Sequence, residues 1–205
     1  MEILKQILLA ILETSLWEWL AVFSSLLYVL LISYKHISAW AFAIISSALY
    51  IYVCFQGQLF LESILNGFFL IMGIYGWYLW SKHTTETAQK IIKWRKKTHL
   101  LNIGLSLLFV ILIGFIFDTY THQANPYTDS FTSIFSLVAT FMVTKKVLEN
   151  WIYWIIIDAV SVYLFASREL YMTSILFLLY TGIAVFGYFK WKKQFNQHFE
   201  ECDSL

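Results

Sequence analysis

Residues 59–80 read LFLESILNGFFLIMGIYGWYLW, and residues 170–191 read LYMTSILFLLYTGIAVFGYFKW. Each is a predominantly apolar run of the length that crosses the hydrocarbon of a bilayer as a helix. Laid over one another at an offset of 111 positions (80 to 191), they agree at telling places. Leu59 falls on Leu170, Ser63-Ile64-Leu65 on Ser174-Ile175-Leu176, Gly76 on Gly187 and Trp80 on Trp191. The same offset carries upstream without a gap. Lys35 meets Lys146, Trp40 meets Trp151, Ile44 and Ile45 meet Ile155 and Ile156, Ala48 meets Ala159, and Tyr52 meets Tyr163. One register that spans three apolar runs and their loops points to a duplicated three-helix unit, beyond what shared composition produces.

The rest of the chain agrees with a membrane setting. Of 205 residues, 60% are hydrophobic and 13% charged, about half the charged share of an ordinary soluble domain. The apolar residues fall in long runs with no period-2 alternation, so an outer-membrane barrel is excluded. Net charge is +1, which gives no reason to expect nucleic acid. Cys54 and Cys202 offer neither a disulfide framework nor metal spacing. Ile7 to Leu12 is a weak apolar stretch flanked by Glu2 and Glu13 with no small-residue cleavage site after it; it reads as a short interfacial helix, not a signal peptide.

Apolar runs predict seven transmembrane helices over 16–34, 37–55, 59–80, 99–117, 129–145, 151–167 and 171–190. With alternating loops, one side collects Lys35, Lys82, Lys90, Lys93, Arg95, Lys96, Lys97, Lys145, Lys146, Lys190, Lys192 and Lys193. The other side receives only Lys5 and Arg168. Positive residues stay in the cytoplasm, so the N-terminus is expected outside and the C-terminus inside. Two copies that end on the same side are parallel repeats, and an odd number of spans must separate them. The expected architecture is therefore an all-α membrane protein, one transmembrane domain over residues 1–205. It has a first repeat at 16–80, a linker helix at 99–117 and a second repeat at 129–191. Parallel repeats are a transporter architecture, with the solute site between the halves near the midplane.

Polar stripes at helical spacing mark candidate site residues. On the third span they are Glu62, Asn66, Phe69, Gly73, Trp77 and Trp80; on the sixth, Asn150, Trp154, Asp158, Ser161 and Phe165, with Trp151 beside them. Asp129, Thr132, Ser136 and Thr140 line the fifth, and Ser47, Tyr50 and Tyr180 complete a ring. Such a lining suits a flat, aromatic, polar-edged solute that carries positive charge, held by stacking and cation–π attraction. Interfacial belts explain Trp17, Trp19, Trp40, Trp94 and Trp191. For Trp77, Trp80, Trp151 and Trp154, belt and site both stay open. Hydroxyls also bond between membrane helices, and Glu62 lies near enough to a helix end to reach water. Asp158 stands well inside its span, where an ionisable group costs several kcal/mol unless paired or wetted. Its two readings are a solute contact and a structural bond to a hydroxyl or Trp N–H.

Absences narrow the class further. No Gly-rich phosphate loop is present, so ATP is not a direct energy source. His36, His83, His99, His122 and His198 all fall in loops, ends or the tail, which leaves no intramembrane metal site, no catalytic dyad and no cofactor. Two intramembrane carboxylates are too few for a proton relay. Gated, passive diffusion fits better than pumping. A carrier of another solute on the same scaffold and a receptor or assembly subunit with no solute path are the competing readings.

Short boxes carry a family resemblance: Tyr75-Gly76-Trp77-x-x-Trp80, Tyr127-Thr128-Asp129-Ser130, Glu149-Asn150-Trp151-x-x-Trp154, and the Gly187-Tyr188 and Trp191 ending. With them, residues 17–193 resemble the PnuC family of bacterial vitamin transporters. That resemblance implies a three-plus-one-plus-three fold similar to a SWEET transporter, trimeric, in the bacterial inner membrane. It implies facilitated diffusion of nicotinamide riboside, or alternatively thiamine, with a cytosolic kinase trapping the product for NAD biosynthesis. By the same likeness, Trp77, Trp80, Asn150, Trp151 and Trp154 are expected to touch the solute.

Overall fold

The computed structural model describes residues 11–12, 14–58, 60–82, 90–120 and 125–203. Most of the interfacial helix expected at Ile7 to Leu12 lies outside them, as does much of the basic segment between the third and fourth helices. Seven helices follow in order: α1 (Leu16–Ser33), α2 (Ala39–Gln56), α3 (Phe60–Ser81), α4 (Lys96–Tyr120), α5 (Pro126–Thr144), α6 (Asn150–Ser167) and α7 (Tyr171–Asp203). Their positions match the seven expected runs, with two extensions. α4 begins at Lys96, inside the basic segment. α7 continues past Lys190 to Asp203 because KWKKQFNQHFEECD contains good helix formers and no Gly or Pro to stop it.

Six of the helices are long and apolar enough to cross a membrane; α5 is not among them. α5 carries Thr128, Asp129, Ser130, Thr132, Ser133, Ser136, Thr140 and Thr144. It is flanked by α4, α6 and α3, so protein shelters it where lipid would not. Several of its hydroxyls bond its own backbone: Ser130 donates to Pro126, Ser136 to Thr132 and Thr144 to Phe141. The Asp129 carboxylate accepts from Arg168 at 2.5 Å.

α1 packs on α2, α2 on α3, α5 on α6, and α6 on α7. Between these groups lie two seams, α1 against α7 and α3 against α5. α4 lies against α5 and leaves Leu101, Leu108, Ile111 and Phe115 exposed as an apolar face. At one end of the bundle, α1, α3 and α5 finish and α2, α4 and α6 begin; Lys35, Lys82, Lys145 and Lys146 gather there. Glu18, Glu62, Asp129 and Arg168 mark the other end.

Features recur at the 111-residue offset down to bond level. Lys35 and Lys146 both stand in the left-handed region, at φ 56° and 55°. Each closes its helix with a Schellman motif. The His36 N–H donates to Leu31 and the Lys35 N–H to Ile32; the Val147 N–H donates to Met142 and the Lys146 N–H to Val143. Ser63 donates to Ile51 and Ser174 to Val162, both at 2.9 Å. Trp40 meets Trp80 edge-on at 5.4 Å and 86°, and Trp151 meets Trp191 at 5.4 Å and 89°.

Glycine makes both tryptophan pairs possible. A Cβ on Gly76 would lie 2.5 Å from the Trp40 ring, and one on Gly187 2.7 Å from the Trp151 ring. Each glycine is a slot that lets an indole lie flat on the neighbouring helix. The partner tryptophans then tie the seams together. Trp80 Nε1 donates to the Thr144 carbonyl at 3.1 Å, and Trp191 Nε1 to the Ser33 carbonyl at 3.2 Å. All four rings belong to one buried cluster with Ile32, Val143 and Leu148. This corrects the belt reading of Trp40 and Trp191, which are 1% and 0% exposed; the glycine slots draw them inward. Trp17 and Trp19 are exposed, as the belt reading requires, and Trp94 is half-buried against a second cluster built on α5 and Tyr153.

Candidate functional site

Ionisable and aromatic side chains meet at mid-depth, where four helices converge. Ser25, in the middle of α1, is the hub. Its hydroxyl lies 2.5 Å from the Tyr180 hydroxyl of α7 and also bonds Tyr50 of α2. Asp158 of α6 lies close enough to Tyr180 to act on it electrostatically. It is 3% exposed. Phe177 joins the ring edge-on to Tyr180 at 5.8 Å and stacks on Phe165 at 5.2 Å. The result is a carboxylate, three hydroxyls and flat ring faces at one depth. Such a set holds a cation by charge and ring quadrupole, and orders hydroxyls or amides by hydrogen bonding.

One turn from Asp158 toward the basic end stands Trp154, half-buried and packed against both hydrophobic clusters. A further turn back is Asn150, fully buried at the start of α6. Its amide donates to the Val147 carbonyl at 2.6 Å, while its Oδ1 has no partner among the described residues. The same is true of the buried Nε1 atoms of Trp40 and Trp151. Buried polar atoms without partners are uncommon, and these three are available to a solute or water.

The remaining expected residues fall elsewhere. Trp80 and Trp151 are 7% and 1% exposed within the tryptophan cluster, and Trp80 also carries the Lys146 ammonium 4.6 Å above its ring. Trp77 is 40% exposed, away from that cluster. Glu62 is exposed in the first turn of α3, and the Asn66 amide donates back to its carbonyl at 2.9 Å. Tyr50 and Asp158 both act on Tyr180; among the described residues no hydrogen bond or ring contact links Glu62, Asn66 or Trp77 to them. Ser47 is buried on α2, at the position that aligns with Asp158. Ser25 stands beside Ser24 in an apolar stretch with no polar stripe at helical spacing to single it out, although it aligns with Ser136 of the α5 stripe.

The chain resembles known proteins along most of its length. The family model described as "Nicotinamide mononucleotide transporter" matches residues 15–193. The nicotinamide riboside transporter PnuC of Escherichia coli (strain K12) is 29% identical over 200 residues, covering 85% of this chain and 84% of that one. The protein of the same description from Neisseria mucosa is 27% identical, covering 88% of this chain and 74% of its own. The riboflavin/roseoflavin transporter RibM of Streptomyces davaonensis is 20% identical over 151 residues, covering 71% of this chain and 70% of its own. A crystal structure of the vitamin B3 transporter PnuC shares the fold, with a TM-score of 0.73 at 23% identity over 96% of this chain and 89% of that one. These relatives are transporters, not enzymes. The chain is a multi-pass membrane protein and belongs to the nicotinamide mononucleotide transporter family, the family of the PnuC carriers.

Proposed function

We propose that this protein carries nicotinamide riboside into the cell across the inner membrane by facilitated diffusion. A cytosolic kinase traps the solute as its phosphate and feeds NAD biosynthesis. The observation that carries the reading is the enclosed Asp158 near Tyr180, whose hydroxyl in turn meets Ser25. A buried carboxylate among ring faces suits a nucleoside whose base is a cationic pyridinium, and the PnuC relatives are described as transporters of that nucleoside. Thiamine, with a cationic thiazolium, is the second solute such a lining suits.

In this reading all seven helices span the bilayer, α5 in the shelter of its neighbours. They form two parallel three-helix repeats around α4 in a SWEET-like arrangement, and the recurring tryptophan, lysine and serine contacts support that view. The basic end faces the cytoplasm, so the N-terminus is outside and the C-terminus inside. The exposed apolar face of α4 meets lipid or neighbouring copies in a homotrimer. Asp158, Tyr180 and Trp154 contact the solute, with Asn150 Oδ1 and Trp151 Nε1 toward the cytoplasmic side. Trp80 holds the scaffold, while Glu62, Asn66 and Trp77 stand along the approach.

Thiol labelling tests the path. In a background of Cys54→Ser and Cys202→Ser, single substitutions Trp154→Cys and Asp158→Cys should react with a small polar thiol reagent, and nicotinamide riboside should slow the reaction. Unreactive thiols at both positions, with and without solute, would rule out a solute path there.

A further inference from the structure

Lys35 and Lys146 stand at matching corners of the basic end, each in the left-handed turn that closes a helix. Both corners cap the same buried tryptophan cluster. Trp80 Nε1 donates to the Thr144 carbonyl just before Lys146, and the Lys146 ammonium lies 4.6 Å above the Trp80 ring. Trp191 Nε1 donates to the Ile32 and Ser33 carbonyls just before Lys35. The two lysines are close enough that Lys35 acts on Lys146 as a like charge.

Lysines at a membrane interface ordinarily reach toward water. Lys82 lies over Tyr78 and Lys190 over Tyr34, both exposed rings. Lys146 differs: it is 7% exposed, the only buried lysine among the described residues, and the ring beneath it is buried too. The acid nearest to it in sequence is engaged elsewhere. Glu149 Oε2 accepts from the Trp94 N–H at 3.3 Å and lies 3.8 Å from His99 Nε2. Helices α2 and α6 both begin at this end, so their dipoles add positive potential there. In the same cluster, the Nε1 donors of Trp40 and Trp151 have no partner among the described residues, although each side chain is 1% exposed. Two ammoniums held together away from water repel, and a dianion between them turns the repulsion into attraction.

We infer that Lys35 and Lys146 bind a phosphate dianion at the basic end, and that the phosphate monoester made by the trapping kinase is the ligand that holds this end closed. Each ammonium has three N–H donors, so a phosphate oxygen can bond each lysine beside the contacts the lysine makes within the protein. Lysine binds phosphate as a point charge, and the two charges here come from opposite halves of the bundle. A ligand that prefers the arrangement with both lysines together shifts the population toward it. Product that accumulates on the basic side then slows further entry. The identity of the monoester rests on the transport reading; the anion site does not.

Melting of the purified protein in detergent at neutral pH reads the site directly. Sodium phosphate should raise the melting temperature saturably by a few degrees above sodium chloride at equal ionic strength, and nicotinamide mononucleotide should do so at lower concentration. Lys146→Met and Lys35→Met should each remove most of that shift, and Lys146→Arg should retain part of it. Lys82→Met and Lys192→Met, at lysines over Tyr78 and Tyr188, should retain it all. Nicotinamide mononucleotide sealed inside right-side-out liposomes should slow the initial uptake of nicotinamide riboside several-fold, and much less in Lys146→Met. A phosphate shift no larger than that of chloride, one that survives in both Met variants of Lys35 and Lys146, or one that appears only with added phosphatidylglycerol would overturn the site. Uptake unaffected by the enclosed mononucleotide, beside an intact phosphate shift, would overturn the closing role. If no nicotinamide riboside enters under any condition, the transport reading fails, and the melting shifts still decide the anion site.

Discussion

The face of α2 that begins at Ala39 and the face of α6 that begins at Asn150 hold aligned positions with different contents. On α2 the residues are Ala39, Ala43, Ser47 and Tyr50; on α6 they are Asn150, Trp154, Asp158 and Ser161. Around them, the scaffold is nearly the same in both halves. Trp40 and Trp151 lie in glycine slots, Lys35 and Lys146 end the preceding helices, and Ser63 and Ser174 bond the neighbouring helix in one pattern. On the transport reading proposed above, the difference separates features that hold the bundle from those that handle a solute. What is shared is architecture. What is unshared, above all Trp154 and Asp158, is chemistry.

Filling the slots should produce the largest effect and the most even one. Gly76→Ala and Gly187→Ala each drive a methyl group into a buried indole whose surroundings cannot yield without disturbing a seam. Overpacking of that kind costs about 1–3 kcal/mol or more. Both variants should lose most of their folded protein, measured by size-exclusion chromatography in detergent. Tolerance of one and not the other would break the scaffold equivalence.

Next come the tryptophans that differ in role. Trp154→Ala should leave folded protein but lower uptake at least about tenfold, the scale of a desolvated cation–π contact. Trp191→Ala should mainly lower the folded yield, because Trp191 is 0% exposed and bonds a helix end. Equal effects on uptake per folded molecule would erase the distinction between site and scaffold.

The smallest effect concerns the paired lysines. Burial pushes the Lys146 ammonium down to about 8 from its usual 10.5, and nearby Lys35 adds to the push; burial also lowers Lys35. A lysine that sheds its proton more readily when folded leaves the unfolded chain with more bound protons between about pH 8 and 10.5. Stability therefore rises with pH across that window and is lost as pH falls through about 8. Melting temperature in detergent should climb by a few degrees from pH 7.5 to 10. Lys146→Met should flatten the climb more than Lys35→Met; an unchanged slope in both would contradict it.

Much of this arrangement was legible in the sequence because it depends on regular periods. Apolar runs located all seven helices, and the ungapped register paired Trp40 with Trp151 and Gly76 with Gly187. Asp158 stood out because an acid is costly at that depth. What escaped depends on approach between distant segments. Interfacial preference misplaced Trp40 and Trp191, since nothing local reveals that Gly76 and Gly187 open a slot for a ring on another helix. The stripe of Glu62, Asn66 and Trp77 shows the limit of such a reading, because spacing fixes a face and not the neighbour it meets. Ile91 and Ile92 lie in a segment read as charged and basic, so their return onto the α5–α6 turn had no sequence signal.

The central claim is that the polar ring around Asp158 passes a cationic nucleoside down its gradient. Purified protein in liposomes, supplied in turn with labelled nicotinamide riboside, thiamine and riboflavin without ATP or an ion gradient, tests it directly. The account predicts saturable uptake of nicotinamide riboside that stops at equal concentrations inside and out and falls sharply with Asp158→Asn. Uptake of thiamine alone, accumulation that requires a proton gradient, or full activity in Asp158→Asn would contradict it.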